Sequence, residues 1–185
     1  MQIRGPLMKE HRLIERMISV ARNELARIRS IEQADPLFID TIVDFLRTYA
    51  DRTHHGKEED ILFKDLGSRS LTEKDNVMMN ELIREHVFAR QTTGALVDAN
   101  NRYRTGDTTA LPVMAEKIQI LIDFYPQHIE KEDKIFFPAA RTYLSDKEEQ
   151  DMLFRFREFD RKMIHEKYAG IVDEQEKKPT INPAF

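Results

Sequence analysis

The chain has 185 residues and a formal net charge of -4, with 29 Lys and Arg against 33 Asp and Glu, an acidic balance that argues against a nucleic-acid partner. It has no cysteine, which excludes disulfides, thiolate metal sites and a cysteine nucleophile, so any transition metal must be held by His, Asp and Glu; that leaves iron, manganese or zinc. No run of about 18 apolar residues occurs and Met1 to Lys9 lacks the apolar core of a signal peptide, so the sequence predicts a soluble, cytoplasmic protein with no membrane partner.

From Pro6 to Arg29, residues Leu7, His11, Ile14, Ile18, Ala21, Leu25 and Ile28 recur at steps of three and four, which predicts a helix with one buried stripe that includes His11. Asp35-Pro36 reads as an N-cap and a proline at the first helical position. The second helix follows through Phe38, Ile42, Phe45 and Leu46 to His54 and Glu58, and Gly67 closes it. Leu71-Thr72 opens a third helix carrying Val77, Met78, Leu82, His86, Ala89, Thr93 and Leu96 on one face, with Gly106 at its end. Leu111-Pro112 opens the fourth, which runs through Ile118, Leu121, Ile122 and Tyr125 to His128 and Glu132 and is bent by Pro126. Ser145-Asp146-Lys147-Glu148 is a capping-box signature for a fifth helix reaching about Val172.

No strand pattern is present, and four helices of similar length on short links predict an all-α fold: an antiparallel up-and-down four-helix bundle over 1–140. The additional C-terminal helix, 141–176, is expected to pack on that bundle or to serve a homodimer, and 177–185 to form a flexible tail.

The chain also repeats itself. His54-His55-Gly56-Lys57-Glu58 and the stretch that follows it align with His128-Ile129-Glu130-Lys131-Glu132, so that His54 falls on His128, Glu58 on Glu132, and Ile61-Leu62-Phe63 on Ile135-Phe136-Phe137. A histidine and a carboxylate four residues apart sit one above the other on a helix, offering one nitrogen and one oxygen in the same direction. Upstream of each copy is a Glu-His pair, Glu10-His11 and Glu85-His86. A lone buried histidine is more often a core residue than a ligand, but here one lies near the inward stripe of each of four helices. Burying four imidazoles and two carboxylates together is costly unless a cation neutralises them. Glu10 and Glu85, one residue before each histidine, are expected to make surface salt bridges, and Tyr49 and Tyr125 to fill the core. Since His55 could pair with Glu59 at the same spacing, the repeat is what selects His54 and Glu58.

These segments, from Gly5-Pro6-Leu7-Met8-Lys9-Glu10-His11 through Glu85-His86 to Pro138, resemble the hemerythrin-like, or HHE cation-binding, domains. The resemblance implies a bundle around a carboxylate-bridged non-haem di-iron centre that handles dioxygen, peroxide or nitric oxide. It implies His11, His54, His86 and His128 as terminal ligands of two iron ions and Glu58 and Glu132 as bridges. Oxygen-carrying hemerythrins have two histidines four apart on the third helix, whereas Arg90 here follows His86 at that spacing. One ligand is therefore expected to be missing, with His165 as the residue that could supply it. The carriers' fourth-helix acid corresponds to Asp133, but a five-residue step turns a side chain about 140° off the face, so Glu132 is the expected bridge and Asp133 an outer acid. The expected function is a di-iron protein that binds or reacts with such small oxygen or nitrogen-oxide ligands. The alternatives are an iron-sensing or storage module signalling through the fifth helix, and zinc hydrolysis.

Overall fold

The computed structural model describes residues 2–176, with side chains to residue 163, so the expected flexible tail and the side chain of His165 lie outside the described residues. Helix α1 spans Arg4–Ile31 and buries the whole expected stripe, His11 included. Its last turn is closed by Glu32 in the left-handed conformation, whose N–H donates to the carbonyl of Ile28. Helix α2 is one long rod. It starts as Pro36–Phe45, widens into π-helical turns over Leu46–His55 and Glu58–Phe63, and finishes on the α-helical turn Lys64–Gly67. The Asp35 side chain accepts from the N–H groups of Leu37 and Phe38, as its capping role requires. In the widened stretch the Thr53 hydroxyl donates to the carbonyl of Thr48, five residues back, at 2.7 Å.

Helix α3 spans Glu73–Arg104, capped by the Thr72 hydroxyl, which accepts from the N–H of Asp75. Val77 was expected on its inner face but is 55% exposed, and Met79 is buried in its place. The cause is helical phase: Met79 lies one turn below buried Leu82, whereas five residues back to Val77 rotates the side chain about 140° away. Gly106, with φ +98°, turns the chain toward helix α4, Ala110–Lys131, which contains Pro126. Helix α4 then continues as the π-helical turn Glu132–Phe136 and the short α-helical Phe137–Arg141. Helix α5, Asp146–Glu176, opens on the expected box, with the Ser145 N–H donating to Glu148 at 2.8 Å and the Glu148 N–H to the Ser145 hydroxyl at 3.4 Å.

Helix α4 packs between α1 and α3, α2 closes the ring against both, and the described residues contain no strand. No helix among them is long and apolar enough to cross a membrane. The interior is two apolar clusters with a polar layer between them. One is built from residues such as Ile14, Ile18, Leu46, Leu96, Ile118 and Leu121, the other from Ile3, Leu7, Leu62, Leu82, Phe136 and Phe137. Each fully buried aliphatic or aromatic side chain contributes on the order of 1.5–3 kcal/mol, so the two clusters stabilise the bundle on either side of a layer that by itself opposes burial. Helix α5 covers the second cluster with Met152, Leu153 and Phe156. It comes so close to α2 that a Cβ on Gly56 would lie 2.7 Å from the Phe159 ring, so a larger residue there would displace that ring.

Candidate metal centre

The polar layer is made where all four bundle helices pass one level. His11 lies between Leu7 and Ile14 of the α1 stripe, His86 one turn above Leu82 of α3, and His128 one turn beyond Tyr125 of α4. His54 and His55 both lie in the widened turns of α2. A π-helical turn rotates each residue less than an α-helical one, which lets two consecutive side chains share the inward arc. Both are 1% exposed. His55 is thus brought into the layer, where the repeat alone had selected only His54.

The polar atoms form two groups: His11, His54, Glu58 and Glu132 in one, and His55, His86 and His128 in the other, with the ligand atoms of each group within 4.8 Å of one another. The two glutamates span both. Glu58 turns Oε1 toward His54 Nε2 at 3.5 Å and Oε2 toward His86 Nε2 at 3.5 Å. Glu132 turns Oε2 toward His11 Nε2 at 3.1 Å and Oε1 toward His128 Nε2 at 3.3 Å and His86 Nε2 at 3.6 Å. None of these approaches completes a hydrogen bond: the five Nε2 atoms and all four glutamate oxygens are buried without a partner. Among the described residues only Arg69 Nε and Asn100 Oδ1 share that condition. Buried polar atoms are normally satisfied, so nine orphans converging on one level is the signature of a donor set built for a cation.

The outer nitrogens tell the same story. Each Nδ1 faces a carboxylate: His11 faces Asp133 at 2.7 Å, His54 Glu10 at 2.9 Å, His55 Asp51 at 3.4 Å, His86 Glu59 at 2.7 Å and His128 Glu85 at 2.8 Å. A carboxylate can only accept, so each Nδ1 carries a proton and leaves its Nε2 facing inward, the arrangement that orients histidine ligands in metal sites. Glu10 and Glu85, expected on the surface, in fact reach across to hold the histidine of the neighbouring helix. The sequence signal was present: an acid adjoins four of the six expected ligands, at Glu10-His11, Glu58-Glu59, Glu85-His86 and Glu132-Asp133. Asp133 does act as the outer acid expected of it. Arg90 points to the rim, where it donates to Asp51 at 2.7 Å and Glu59 at 2.5 Å. The third imidazole of the group with His86 and His128 is His55.

The charges are consistent with this. Burial drives His54 and His55 well below the ordinary imidazole range, which keeps them neutral. Burial also pushes Glu58 well up, reinforced by the charge of Glu132, whereas in Glu132 the surrounding imidazoles outweigh burial and hold it ionised. For His11, burial is overridden by the hydrogen bond to Asp133 and the nearby charges of Glu132 and Asp133, which raise it to about 9.

The model of the hemerythrin HHE cation-binding domain matches residues 4–140. The chain belongs to that family. It is also 24% identical over 169 residues to the uncharacterized proteins Rv1995 of Mycobacterium tuberculosis and Mb2018 of Mycobacterium bovis, a similarity covering 90% of this chain. The chain spans 65% of the length of those relatives. No solved structure gives a significant match. In this hemerythrin-family chain the matched segment contains all five histidines of the layer and ends before α5.

A pH prediction follows from His11 and Glu58. Without metal, His11 keeps its proton up to about pH 9 and Glu58 keeps its own well above the carboxylate range. A cation at these atoms displaces those protons, so apparent affinity should rise with pH and level off near pH 9. The raised His11 also stabilises the metal-free fold fully below about pH 6.5 and loses that contribution as pH rises through its folded value. Thermal melts across pH 6–9 should therefore show the metal-free protein weakening and the metal-induced gain growing. Parallel curves would contradict the assignment.

Proposed function

We propose that this hemerythrin-family protein holds a carboxylate-bridged pair of iron ions and binds or reacts with dioxygen, peroxide or nitric oxide there, in the cytoplasm. The observation that carries the reading is that Glu58 and Glu132 each turn one oxygen toward each histidine group. His11 and His54 would hold one ion, His55, His86 and His128 the other, and the two glutamates would bridge them. Imidazole and carboxylate in such numbers suit iron better than zinc, whose sites are four-coordinate and mostly closed when structural, and the imidazole share disfavours manganese. The bound pair would supply the redox chemistry. The chain's own part is to orient five Nε2 atoms inward through five outer carboxylates, to keep His54 and His55 neutral by burial, and to exclude bulk water with the apolar clusters above and below. The His11–His54 side has one imidazole fewer, so an ion there would have a coordination position to offer a small exogenous ligand.

The test is anaerobic loading with ferrous iron followed by mixing with oxygenated buffer and removal of the oxygen. Near-ultraviolet charge-transfer bands should grow in, and azide should perturb them. A featureless spectrum would overturn the iron reading. The second reading, an iron sensor reporting through α5, is favoured by the seating of Phe159 on Gly56 beside the histidines. It would show as iron bound without oxygen consumption.

A further inference from the structure

The two halves of the site are related by the sequence repeat, and besides His55, which falls on Ile129, the relation breaks at the partners of one lysine. In the second half, Glu85 holds His128, and the ammonium of Lys131 joins Glu85 to Glu81 on α3. In the first half, Glu10 holds His54 and is joined in turn by the ammonium of Lys57, the counterpart of Lys131. The offset that places His11 on His86 and Glu10 on Glu85 places Pro6 on Glu81. Helix α1 therefore has no acid to hold Lys57 from its other side. That acid comes from α5: Lys57 Nζ donates to Asp160 Oδ1 at 2.7 Å.

The substitution matters because the two lysines differ in burial. Lys131 is 30% exposed and keeps some water, whereas Lys57 is 0% exposed, so its charge depends on its two carboxylates. If Asp160 were lost, Glu10 would be left to neutralise Lys57 alone while also fixing the His54 ring. Phe159, the preceding residue, rests against Gly56, so one turn of α5 bears on Gly56 and Lys57, the residues between His54 and Glu58.

We infer that Asp160, on a helix outside the family-matched segment, is a positioning residue for the metal held by His11 and His54, acting through Lys57 and Glu10. This rests on the metal reading above. Outer partners of metal-bound histidines are worth about 10- to 100-fold in metal affinity. The test is release of metal to excess chelator from the full-length metal-loaded protein, comparing wild type, Asp160→Asn and the double variant Asp160→Asn with Pro6→Glu. Melting of each metal-free protein is recorded in parallel. Asp160→Asn should release one of its two metals about 10- to 100-fold faster and the other at the wild-type rate. Pro6→Glu places an acid at the register that Glu81 occupies in the other half, and should restore slow release.

An Asp160→Asn protein that releases both metals at wild-type rates would overturn the inference alone. So would a loss of both metals together with a lowered melting temperature, or a failure of Pro6→Glu to rescue, since either would mean that Asp160 only anchors α5. A wild-type protein that never holds two metals would overturn the metal reading and this inference with it.

Discussion

His55→Ala is expected to cut the metal content from two ions per chain to one. His55 brings its Nε2 to those of His86 and His128, and its Nδ1 side is held by Asp51. Without it the second group keeps only two imidazoles, and affinity there should fall by about 100-fold or more, since loss of an outer partner alone costs 10- to 100-fold. The His11–His54 group shares no nitrogen with it and should stay filled. Titration with ferrous iron, read as metal bound per chain, checks this. Two ions retained in His55→Ala would make His55 a packing residue and return the site to the four histidines selected by the repeat.

Glu58→Gln should abolish metal binding without weakening the metal-free fold. In the metal-free protein Glu58 is buried and already holds its proton, so an amide of the same shape replaces a neutral group and removes a potential like charge beside Glu132. In the loaded protein the same change replaces one of the two oxygens, which face His54 and His86, with an NH2 group that cannot ligate, and removes the negative charge. Metal at about 1,000 times its dissociation constant stabilises the folded state by about 4 kcal/mol per site, or roughly 8–16 °C for a chain of this size. Wild type should show that rise in melting temperature on adding iron, and Glu58→Gln should not. A variant that melts far below wild type in the absence of metal would show that Glu58 is structural.

Much of this was legible in the sequence because helical periodicity is a strong signal when each helix has one buried stripe. The steps from Leu7 to Ile28 and the caps at Asp35, Thr72 and Ser145 placed the helices. The repeat brought His11, His54, His86, His128, Glu58 and Glu132 to one level. His55 was not legible because an α-helical step sets neighbouring side chains about 100° apart, whereas α2 is π-helical through that stretch. A local change of helix type leaves little trace in a hydrophobic pattern. The outer acids were missed for a different reason. Glu10 and Glu85 do point away from the ligand on their own helix, and only the packing of α1 on α2 and of α3 on α4 shows that away from one histidine is toward the next. The role of Asp160 required the fold as well, since Lys57 lies 103 residues from it along the chain.

The central claim is that one buried layer of five histidines and two glutamates holds two metal ions. Native mass spectrometry of the intact protein after anaerobic loading with ferrous iron tests it most directly. The predicted result is a single dominant species carrying two irons per chain, converted to the metal-free mass by acidification. Saturation at one iron, or at none, would contradict it.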